Sequence, residues 1–411
     1  MLSPFGQQFK DNGYQMGNDR DAPIFQQAAY WPATFRITPI WHRDSTNKAA
    51  VDTVAGPNAA EARVTTDGFD LSGLDFHTGG TLANNISFYV LPSSNPLGEF
   101  HFESVWARFD NLLGSPWLNL KMGKFELDNL LSEKRILTLT SISGVYTNYH
   151  FQPLSAPGVA ENYTFGIGDN QLGLEWLGHS KDDRTRVSAA LLSQNDGQPG
   201  LPTSRAYGGF FAASRAFQVG SLGLQRVGAF AYLGQASTYP QYTSTSGGVS
   251  SPIPGTGIGN EGFQRIGVIG QWYIKKFDIT TIYFYGHDSA YLGTNTPANQ
   301  PLPAGAQAPT WNGALFESHY MFNPQWMLLN RYELVRMSQQ AFGSGAATPN
   351  PSNLGNTDVL TFGMRYYPFI SSRAGFALHA EYAIERIRGV SPVTFTDLTS
   401  NSLLFGWDFD F

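Results

Sequence analysis

The segment Arg373-Ala-Gly-Phe-Ala-Leu-His-Ala-Glu-Tyr-Ala-Ile-Glu-Arg386 alternates between apolar side chains and small, polar or charged ones. Successive side chains of a strand point to opposite faces, so this spacing predicts one apolar face and one polar face. The same alternation recurs at 170–178 and at 356–367. Across the three segments the apolar face carries Leu172, Leu174, Trp176, Leu360, Phe362, Met364, Tyr366, Phe376, Leu378, Ala380, Tyr382 and Ile384.

Sixteen segments of the chain follow a comparable strand pattern. They are 33–42, 68–77, 84–92, 99–109, 115–124, 169–178, 183–193, 205–215, 224–236, 261–273, 276–288, 309–321, 325–337, 356–367, 373–386 and 401–411. Most reach ten residues, whereas strands of soluble sandwiches are mostly about five or six residues long. A tilted strand that crosses a bilayer needs about nine to eleven residues. The lengths therefore predict an all-β, transmembrane, antiparallel up-and-down barrel of about sixteen strands, within a range of 14 to 18.

Composition narrows the classes of protein that remain. Only 14% of the 411 residues are charged and 14% are aromatic, which favours a packed, strand-rich structure. The net charge of −6 lacks the basic excess that a nucleic-acid partner requires. The absence of cysteine excludes disulfides, thiolate metal sites and covalently attached haem within this chain, and no metal site is predicted. No apolar run approaches the roughly 20 residues of a membrane-spanning helix.

The connections between the predicted strands divide into two sets. Short turns are expected at 78–83, 110–114, 179–182, 216–223, 274–275, 322–324 and 368–372, and longer connections at 43–67, 93–98, 125–168, 194–204, 237–260, 289–308, 338–355 and 387–400. Apart from 93–98, every connection of the second set is longer than every turn of the first. Outer-membrane barrels place short turns on the periplasmic side and long loops outside.

The longest connection, 125–168, has room for structure of its own. We expect a short helix near 128–134 and a short strand at 136–142, and the segment is long enough to fold inward and constrict a pore. By contrast 237–260, rich in Ser, Thr, Gly and Pro, is expected to be a surface loop.

The C-terminus, Leu403-Leu-Phe-Gly-Trp-Asp-Phe-Asp-Phe411, places an aromatic residue at every second position and ends in one. It resembles the last strand that bacterial outer-membrane barrels present to their assembly machinery. The resemblance implies an assembly signal at Phe405, Trp407, Phe409 and Phe411. It also implies an outer-membrane location, contact with membrane lipids, an even strand number and both termini in the periplasm.

Two other stretches resemble porin families. Trp117-Leu-Asn-Leu-Lys-Met-Gly-Lys-Phe-Glu126 is similar to a strand of phosphate-selective and related porins that contains a Gly-Lys-Phe triplet. Leu2-Ser-Pro-Phe-Gly-Gln-Gln-Phe-Lys-Asp-Asn-Gly-Tyr14 resembles the segment that follows the Cys-x-x-Cys-His haem motif in fused monohaem cytochrome–porins. Because this chain has no cysteine, the second resemblance leaves two alternatives: a c-type haem is supplied by residues upstream or by a periplasmic cytochrome, or the protein is a haemless relative of that family. The N-terminus also lacks the features of a signal peptide, so a processed or truncated chain is expected.

Residues 1–32 are too polar and irregular for a strand, yet they contain Phe5, Phe9, Tyr14 and Phe25. We expect them to form a periplasmic segment that packs at or inside the mouth of a barrel formed by 33–411.

Three functions are compatible with this fold. The first is a pore or sheath for electron transfer of the cytochrome–porin type, and the second is a passive diffusion porin for small ions or solutes. In either case a set of charged residues is expected to line the lumen: Arg36, Lys121, Arg186, Arg265, Glu317, Arg331, Glu333, Arg365, Glu381 and Asp408. The third is an outer-membrane hydrolase built on His287, His319 or His379 with a nearby serine, but no hydrolase motif occurs, and we expect no enzyme.

Overall fold

The structure is a computed structural model, and it describes most of the predicted strands and part of their connections. The described residues are 23, 33–52, 59–94, 98–127, 142, 170–193, 207–236, 242–246, 249–253, 261–288, 310–337, 356–370, 375–388, 391, 394 and 396–410. The expected segment 1–32, apart from Pro23, the expected helix at 128–134 and Phe411 lie outside them. Of the expected strand 136–142 only Ile142 is described, and it is not in a strand.

Eighteen strands occur in the described residues. They are β1 (Ala33–Asp52), β2 (Ala59–Ala83), β3 (Ile86–Ser94), β4 (Phe100–Phe109), β5 (Asn119–Glu126), β6 (Asn170–His179), β7 (Thr185–Ser193), β8 (Tyr207–Val219), β9 (Gly223–Ala236), β10 (Tyr242–Ser246), β11 (Val249–Ile253), β12 (Glu261–Ile274), β13 (Phe277–Asp288), β14 (Thr310–Asn323), β15 (Trp326–Met337), β16 (Asn356–Ile370), β17 (Gly375–Arg388) and β18 (Leu398–Asp410).

Sixteen of these strands close into a barrel. Each strand pairs antiparallel with its neighbour in sequence, β9 pairs with β12, and β18 pairs with β1 to complete the ring. Closure satisfies the hydrogen-bonding edges that an open sheet would leave unpaired. The predicted sixteen-stranded, antiparallel, up-and-down barrel is confirmed, and each predicted segment overlaps one barrel strand.

The expected long connection at 43–67 is wrong. β1 and β2 continue as a paired hairpin through most of this range, with Asp44 opposite Thr66 and Asp52 opposite Ala59. The Thr65 hydroxyl donates to the Ser45 hydroxyl at 3.0 Å across the pair. Polar side chains at these positions are compatible with a ladder whose faces are solvated, and only 53–58 joins the strands. This connection is therefore also an exception to the expected division by length.

The expected turn at 78–83 is also wrong, because these residues belong to β2. The turn falls instead at Asn84 and Asn85, and Asn85 has a φ of 59°, in the left-handed region that asparagine tolerates. β3 consequently starts two residues later than expected.

β5 likewise starts at Asn119 instead of residue 115. The preceding turn includes Pro116, and the Asn119 side-chain oxygen accepts a hydrogen bond from the Asn111 amide at 2.8 Å. The expected surface loop at 237–260 contains the hairpin of β10 and β11, which is separate from the barrel. Its Thr and Val residues have high strand propensity, which the abundance of turn formers in the segment obscured.

Candidate functional site: the barrel interior

On two barrel strands, β15 and β17, charged side chains are buried and apolar side chains are exposed, the reverse of the usual distribution in a soluble protein. On β15 the side chains of Arg331 and Glu333 are buried, whereas Leu328 and Tyr332 on the opposite face are about 40% exposed. β17 behaves in the same way, with His379 and Glu381 buried and Leu378 and Tyr382 exposed. On these two strands the exposed face is thus mostly apolar and the interior face carries buried charged residues, as the alternation in the sequence predicted.

Most of the buried carboxylates lie along one arc of the interior. On β13, β14, β15, β17 and β2 they form what we call the acidic wall: Asp278, Glu317, Glu333, Glu381, Glu385 and Asp75. Two buried arginines, Arg331 and Arg365, lie on the same arc. Among the described residues of this arc, buried carboxylates therefore outnumber buried guanidinium groups by three to one.

Arg331 is central to the acidic wall and is only 1% exposed. Its Nη1 lies 3.5 Å from Glu317 Oε2, and its Nε lies 3.1 Å from Glu333 Oε2. His319 adjoins the same cluster, with Nε2 at 2.8 Å from Glu317 Oε1 and Nδ1 at 3.6 Å from Asp278 Oδ2. One guanidinium thus lies close to two carboxylates.

A second group of charges lies where the first and last strands meet. Asp408 Oδ2 is 2.8 Å from His379 Nε2, and Asp408 Oδ1 accepts a hydrogen bond from Thr38 at 2.8 Å. Arg36 forms an ion pair with Asp75, and the Ser93 hydroxyl donates to the same carboxylate. These contacts join residues from both ends of the chain.

The rest of the ring, which shares β13 with the acidic wall and which we call the opposite arc, is lined by aromatic side chains. Those on β3, β4, β5, β8, β9, β12 and β13 form what we call the aromatic wall: Tyr89, Trp106, Phe125, Phe210, Phe230, Tyr232, Phe263 and Phe284. All eight are buried in one cluster, and neighbouring rings lie close, for example Tyr232 and Phe263 with centroids 5.3 Å apart. Rings at this separation pack as in a protein core.

Glycines on adjacent strands make space for this wall. A Cβ added at Gly267 would lie 2.5 Å from the Phe230 ring, and one added at Gly313 would collide with the Phe284 ring. Both glycines are on interior faces, so each large ring occupies the volume that a neighbouring side chain would otherwise take.

The cations on this arc are held by carboxylates, carbonyls or rings. Lys121 forms an ion pair with Glu175 and lies 4.5 Å from the Phe125 ring centroid. Arg265, 1% exposed, lies 5.2 Å from the Phe263 centroid and donates to the backbone oxygen of Gln264 at 3.0 Å. The remaining pairs are Arg186 with Asp183 at 2.6 Å and Arg108 with Asp110 at 2.7 Å.

The long connection after β5 reaches both arcs. Leu127, its first residue, is buried in the cluster of the aromatic wall. Ile142 is buried against Val359 on β16 and Ala383 on β17, on the far side of the ring of strands. Two described points of this connection therefore contact opposite sides of the barrel interior.

Sequence reasoning named the candidate residues but did not show which of them meet. The structure brings Glu317, Arg331 and Glu333 into one cluster, whereas Lys121, Arg186 and Arg265 are on the other arc. Arg365 and Glu381 are buried on β16 and β17. Asp278, Glu175 and the aromatic wall were not among the residues expected to line the lumen, and His319 was named only as a hydrolase candidate. Glu175 could have been found, because it alternates with Leu174 and Trp176.

The expected hydrolase geometry does not form at two of the three candidate histidines. Within the described residues, His319 contacts Glu317 and Asp278, His379 contacts Asp408, and neither ring has a serine hydroxyl as its partner. A Ser-His pair within hydrogen-bond reach is the minimum such a site requires.

No group of three potential metal ligands was found within the described ranges, and no described helix is long and apolar enough to span a membrane.

The aromatic residues of the last strand point outward. Phe405, Trp407 and Phe409 are each about 40–50% exposed, and Phe405 stacks on Trp41 of β1 with centroids 6.0 Å apart. They lie beside the β1–β18 seam that closes the barrel.

Comparison with known proteins gives similarity in structure only. No family model and no curated protein matches the chain. Among solved structures, an anion-selective porin from Comamonas acidovorans is 11% identical, with 93% of this chain and 100% of that chain covered and a TM-score of 0.49. The outer-membrane channel DcaP of Acinetobacter baumannii is 10% identical, with coverages of 94% and 100% and a TM-score of 0.48. OmpT of Vibrio cholerae, an outer-membrane protein, is 11% identical, with coverages of 93% and 99% and a TM-score of 0.48. Similarity at this level carries no information about a transported solute.

Proposed function

We propose that this barrel spans the bacterial outer membrane and forms a passive diffusion pore for small hydrophilic solutes. The exposed face of its strands is apolar and aromatic, as lipid requires, and the closed ring leaves no unpaired strand edge in the bilayer. Barrels of 16 strands are wide enough to enclose an aqueous channel.

The observation that carries this proposal is a set of buried polar atoms on the interior face. The side-chain atoms Ser87 Oγ, Ser188 Oγ, Gln271 Nε2, Thr361 Oγ1 and Ser402 Oγ are buried and have no hydrogen-bond partner among the described residues. Each would cost about 1–3 kcal/mol in a dry interior. Water makes such bonds readily, so an interior of this chemistry is stable when hydrated.

Single-channel conductance in planar bilayers tests the proposal with two matched pairs of variants. Thr361 faces the interior and Phe362 faces outward, so Thr361→Trp should lower conductance whereas Phe362→Trp should leave it unchanged. Ser188→Phe and Ala189→Phe on β7 form the second pair. Folding of each variant is checked by its heat-modifiable mobility on gels. A folded barrel without conductance, or equal effects within both pairs, would contradict the proposal.

In this proposal the partners of the barrel are membrane lipids and the barrel assembly machinery. Both termini lie in the periplasm. Phe409 is exposed at the seam, so replacing it with serine should reduce outer-membrane insertion. An equal substitution at Tyr242, in the hairpin of β10 and β11 outside the barrel, is the control. Equal amounts of both variants in outer-membrane fractions would remove the support for an assembly signal at the C-terminus.

The expected electron-transfer function stays a prediction. Its support comes from residues 2–14, which lie outside the described residues, and the haem would come from upstream residues or from a periplasmic cytochrome. The charged, polar interior favours a diffusion pore over a sheath for a cytochrome, because it offers hydration at many positions along several strands.

A further inference from the structure

We propose that a cluster of cations at one end of the barrel binds the phosphate groups of outer-leaflet lipid headgroups. The cluster, which we call the basic rim, consists of Lys48 on β1, Arg336 on β15, and Arg386 and Arg388 on β17. The proposal rests on the membrane location given above and adds the chemistry of the lipid that surrounds this end. It concerns the outside of the barrel and is independent of what passes through the pore.

The first step is the end of the barrel at which the basic rim lies. Arg386 is the register partner of Thr399, near the start of β18. The other end of β18, at Asp410, pairs with Arg36 near the start of β1. The basic rim is therefore at the end of the barrel away from the start of β1 and the end of β18. With both termini in the periplasm, as proposed above, this end reaches the outer leaflet.

The second step is the depth of the basic rim relative to the apolar surface. Tyr332 and Tyr382 are 40% exposed on the outward face, and Phe362, the register partner of Tyr382, is 47% exposed. Outward aromatic side chains of membrane barrels collect at the membrane–water interface. Arg386 lies on the same face as Tyr382 and follows it by four residues, about 13 Å along the strand. The arginines of the basic rim are thus placed at the level of lipid headgroups.

The third step is the way the structure holds two of the arginines together. Arg336 donates to the backbone oxygens of Val335 at 2.9 Å and Thr357 at 2.7 Å, and it forms an ion pair with Asp358. The other oxygen of this carboxylate lies 3.5 Å from Arg388 Nη2. Asp358 therefore keeps Arg388 beside Arg336. Because 51% of the Arg388 side chain is exposed, its guanidinium is accessible to a headgroup.

The fourth step is an open cavity beside Arg386. Its volume is about 580 Å³, and it is lined by Asn47, Lys48, Arg386, Thr396, Asp397 and Thr399. Lys48 donates to the Thr396 hydroxyl. Two cations and two threonines thus line one cavity, and cationic groups with hydroxyl donors are the usual partners of phosphate oxygens.

The ion pair of Arg386 leaves room for a phosphate. Arg386 donates to Asp397 through Nε at 2.9 Å and through Nη2, which together form one edge of the guanidinium. The second edge, between Nη1 and Nη2, belongs to a side chain that is 57% exposed. A guanidinium has enough N–H donors to contact a carboxylate and a phosphate at the same time. The proposal therefore depends on accessible donors and not on an excess of charge.

Native mass spectrometry of the purified full-length protein in a nonionic detergent tests the proposal. The probes are diphosphoryl lipid A, a phosphorylated glycolipid, and its dephosphorylated form, and only the phosphorylated form should be retained. Arg386→Gln/Arg388→Gln should weaken its binding at least roughly fivefold, the contribution of one cation near an anionic lipid surface. Lys181→Gln/Arg215→Gln removes two exposed cations outside the basic rim and should leave binding unchanged.

Two further measurements distinguish a lipid site from weaker alternatives. Arg386→Lys/Arg388→Lys keeps both charges and should retain most of the binding. Inorganic phosphate at the concentration of the lipid should not displace it, because the lipid chains also contact the apolar surface of the barrel. Equal binding by the two glutamine variants, equal binding of the dephosphorylated lipid, or displacement by inorganic phosphate would overturn the proposal.

The pore itself should be indifferent to these changes. Conductance in planar bilayers, and the K⁺/Cl⁻ permeability ratio obtained from the reversal potential under a KCl gradient, should equal those of the wild type in every variant. A folded protein that conducts but does not retain the phosphorylated lipid overturns the proposal and leaves the pore function intact. A folded protein that retains this lipid but does not conduct overturns the pore function instead.

Discussion

The aromatic wall and the acidic wall share one ring of strands but satisfy their interior side chains in different ways. Phe210, Phe230 and Tyr232 bury their rings against one another, as residues of a soluble core do. Asp278 and Glu317 keep oxygen atoms that no described donor reaches. One wall is therefore stabilised by packing, whereas the other keeps polar atoms that no described residue satisfies. The comparison teaches that one ring of strands can satisfy its interior side chains by ring packing on one arc and by contacts between charged groups on another.

The largest effect on stability is expected for Phe230→Ala in the aromatic wall. Truncation of a buried phenylalanine should cost about 3–5 kcal/mol, since transfer free energy is lost and a cavity remains. Urea unfolding in phospholipid bilayers, followed by tryptophan fluorescence, measures the change. The K⁺/Cl⁻ permeability ratio should stay the same. A loss below about 1 kcal/mol would show that water, not packing, surrounds this ring.

A smaller loss is expected for Gly267→Val, which adds atoms where the Phe230 ring lies. Overpacking of this kind costs about 1–3 kcal/mol. The double variant Phe230→Ala/Gly267→Val should recover part of the combined loss, because the added side chain enters the space that the ring vacates. Strict additivity in the same unfolding measurement would mean that the two positions do not share a volume.

Lys121→Met separates charge from packing on the aromatic side. The loss of Lys121 leaves Glu175 without its cation, so we expect a stability loss of about 1–3 kcal/mol and a higher K⁺/Cl⁻ permeability ratio. Lys121→Met/Glu175→Gln is the matched control and should return the ratio toward that of the wild type. An unchanged ratio in the single variant would place Lys121 outside the field that mobile ions experience.

The smallest effect is expected for Arg386→Gln on the outward face of β17. Its ion pair with Asp397 is exposed, since 57% of the Arg386 side chain and 39% of the Asp397 side chain are accessible. Exposed ion pairs contribute about 1 kcal/mol or less to the free energy of unfolding. Conductance and the permeability ratio should both equal those of the wild type. A clear shift in the ratio would show that charge outside the barrel also affects selectivity, and would weaken the contrast between the two walls.

The period-two pattern determined much of this protein. Alternation along 356–367 and 373–386 predicts both the strands and the face on which Arg365 and Glu381 lie, because a strand leaves a side chain only two directions. The number of strands followed from the count of sixteen alternating segments, and their lengths indicated strands that cross a bilayer. The pattern did not locate the turn between β2 and β3, because the position of a turn depends on a few local residues. Asn84 and Asn85 form this turn, whereas Thr78 to Thr81 continue the strand.

Only the tertiary structure decided which interior residues meet. Arg36 and Asp410 are register partners although the whole barrel separates them in sequence, and this pairing exists because the ring closes. The position of Arg331 between Glu317 and Glu333 depends on the register of β14 against β15, which alternation does not determine. The division into an aromatic wall and an acidic wall likewise arises from the order of strands around the ring. A sequence specifies the face of each side chain through local geometry, but neighbours across strands depend on register and closure, which are properties of the whole fold.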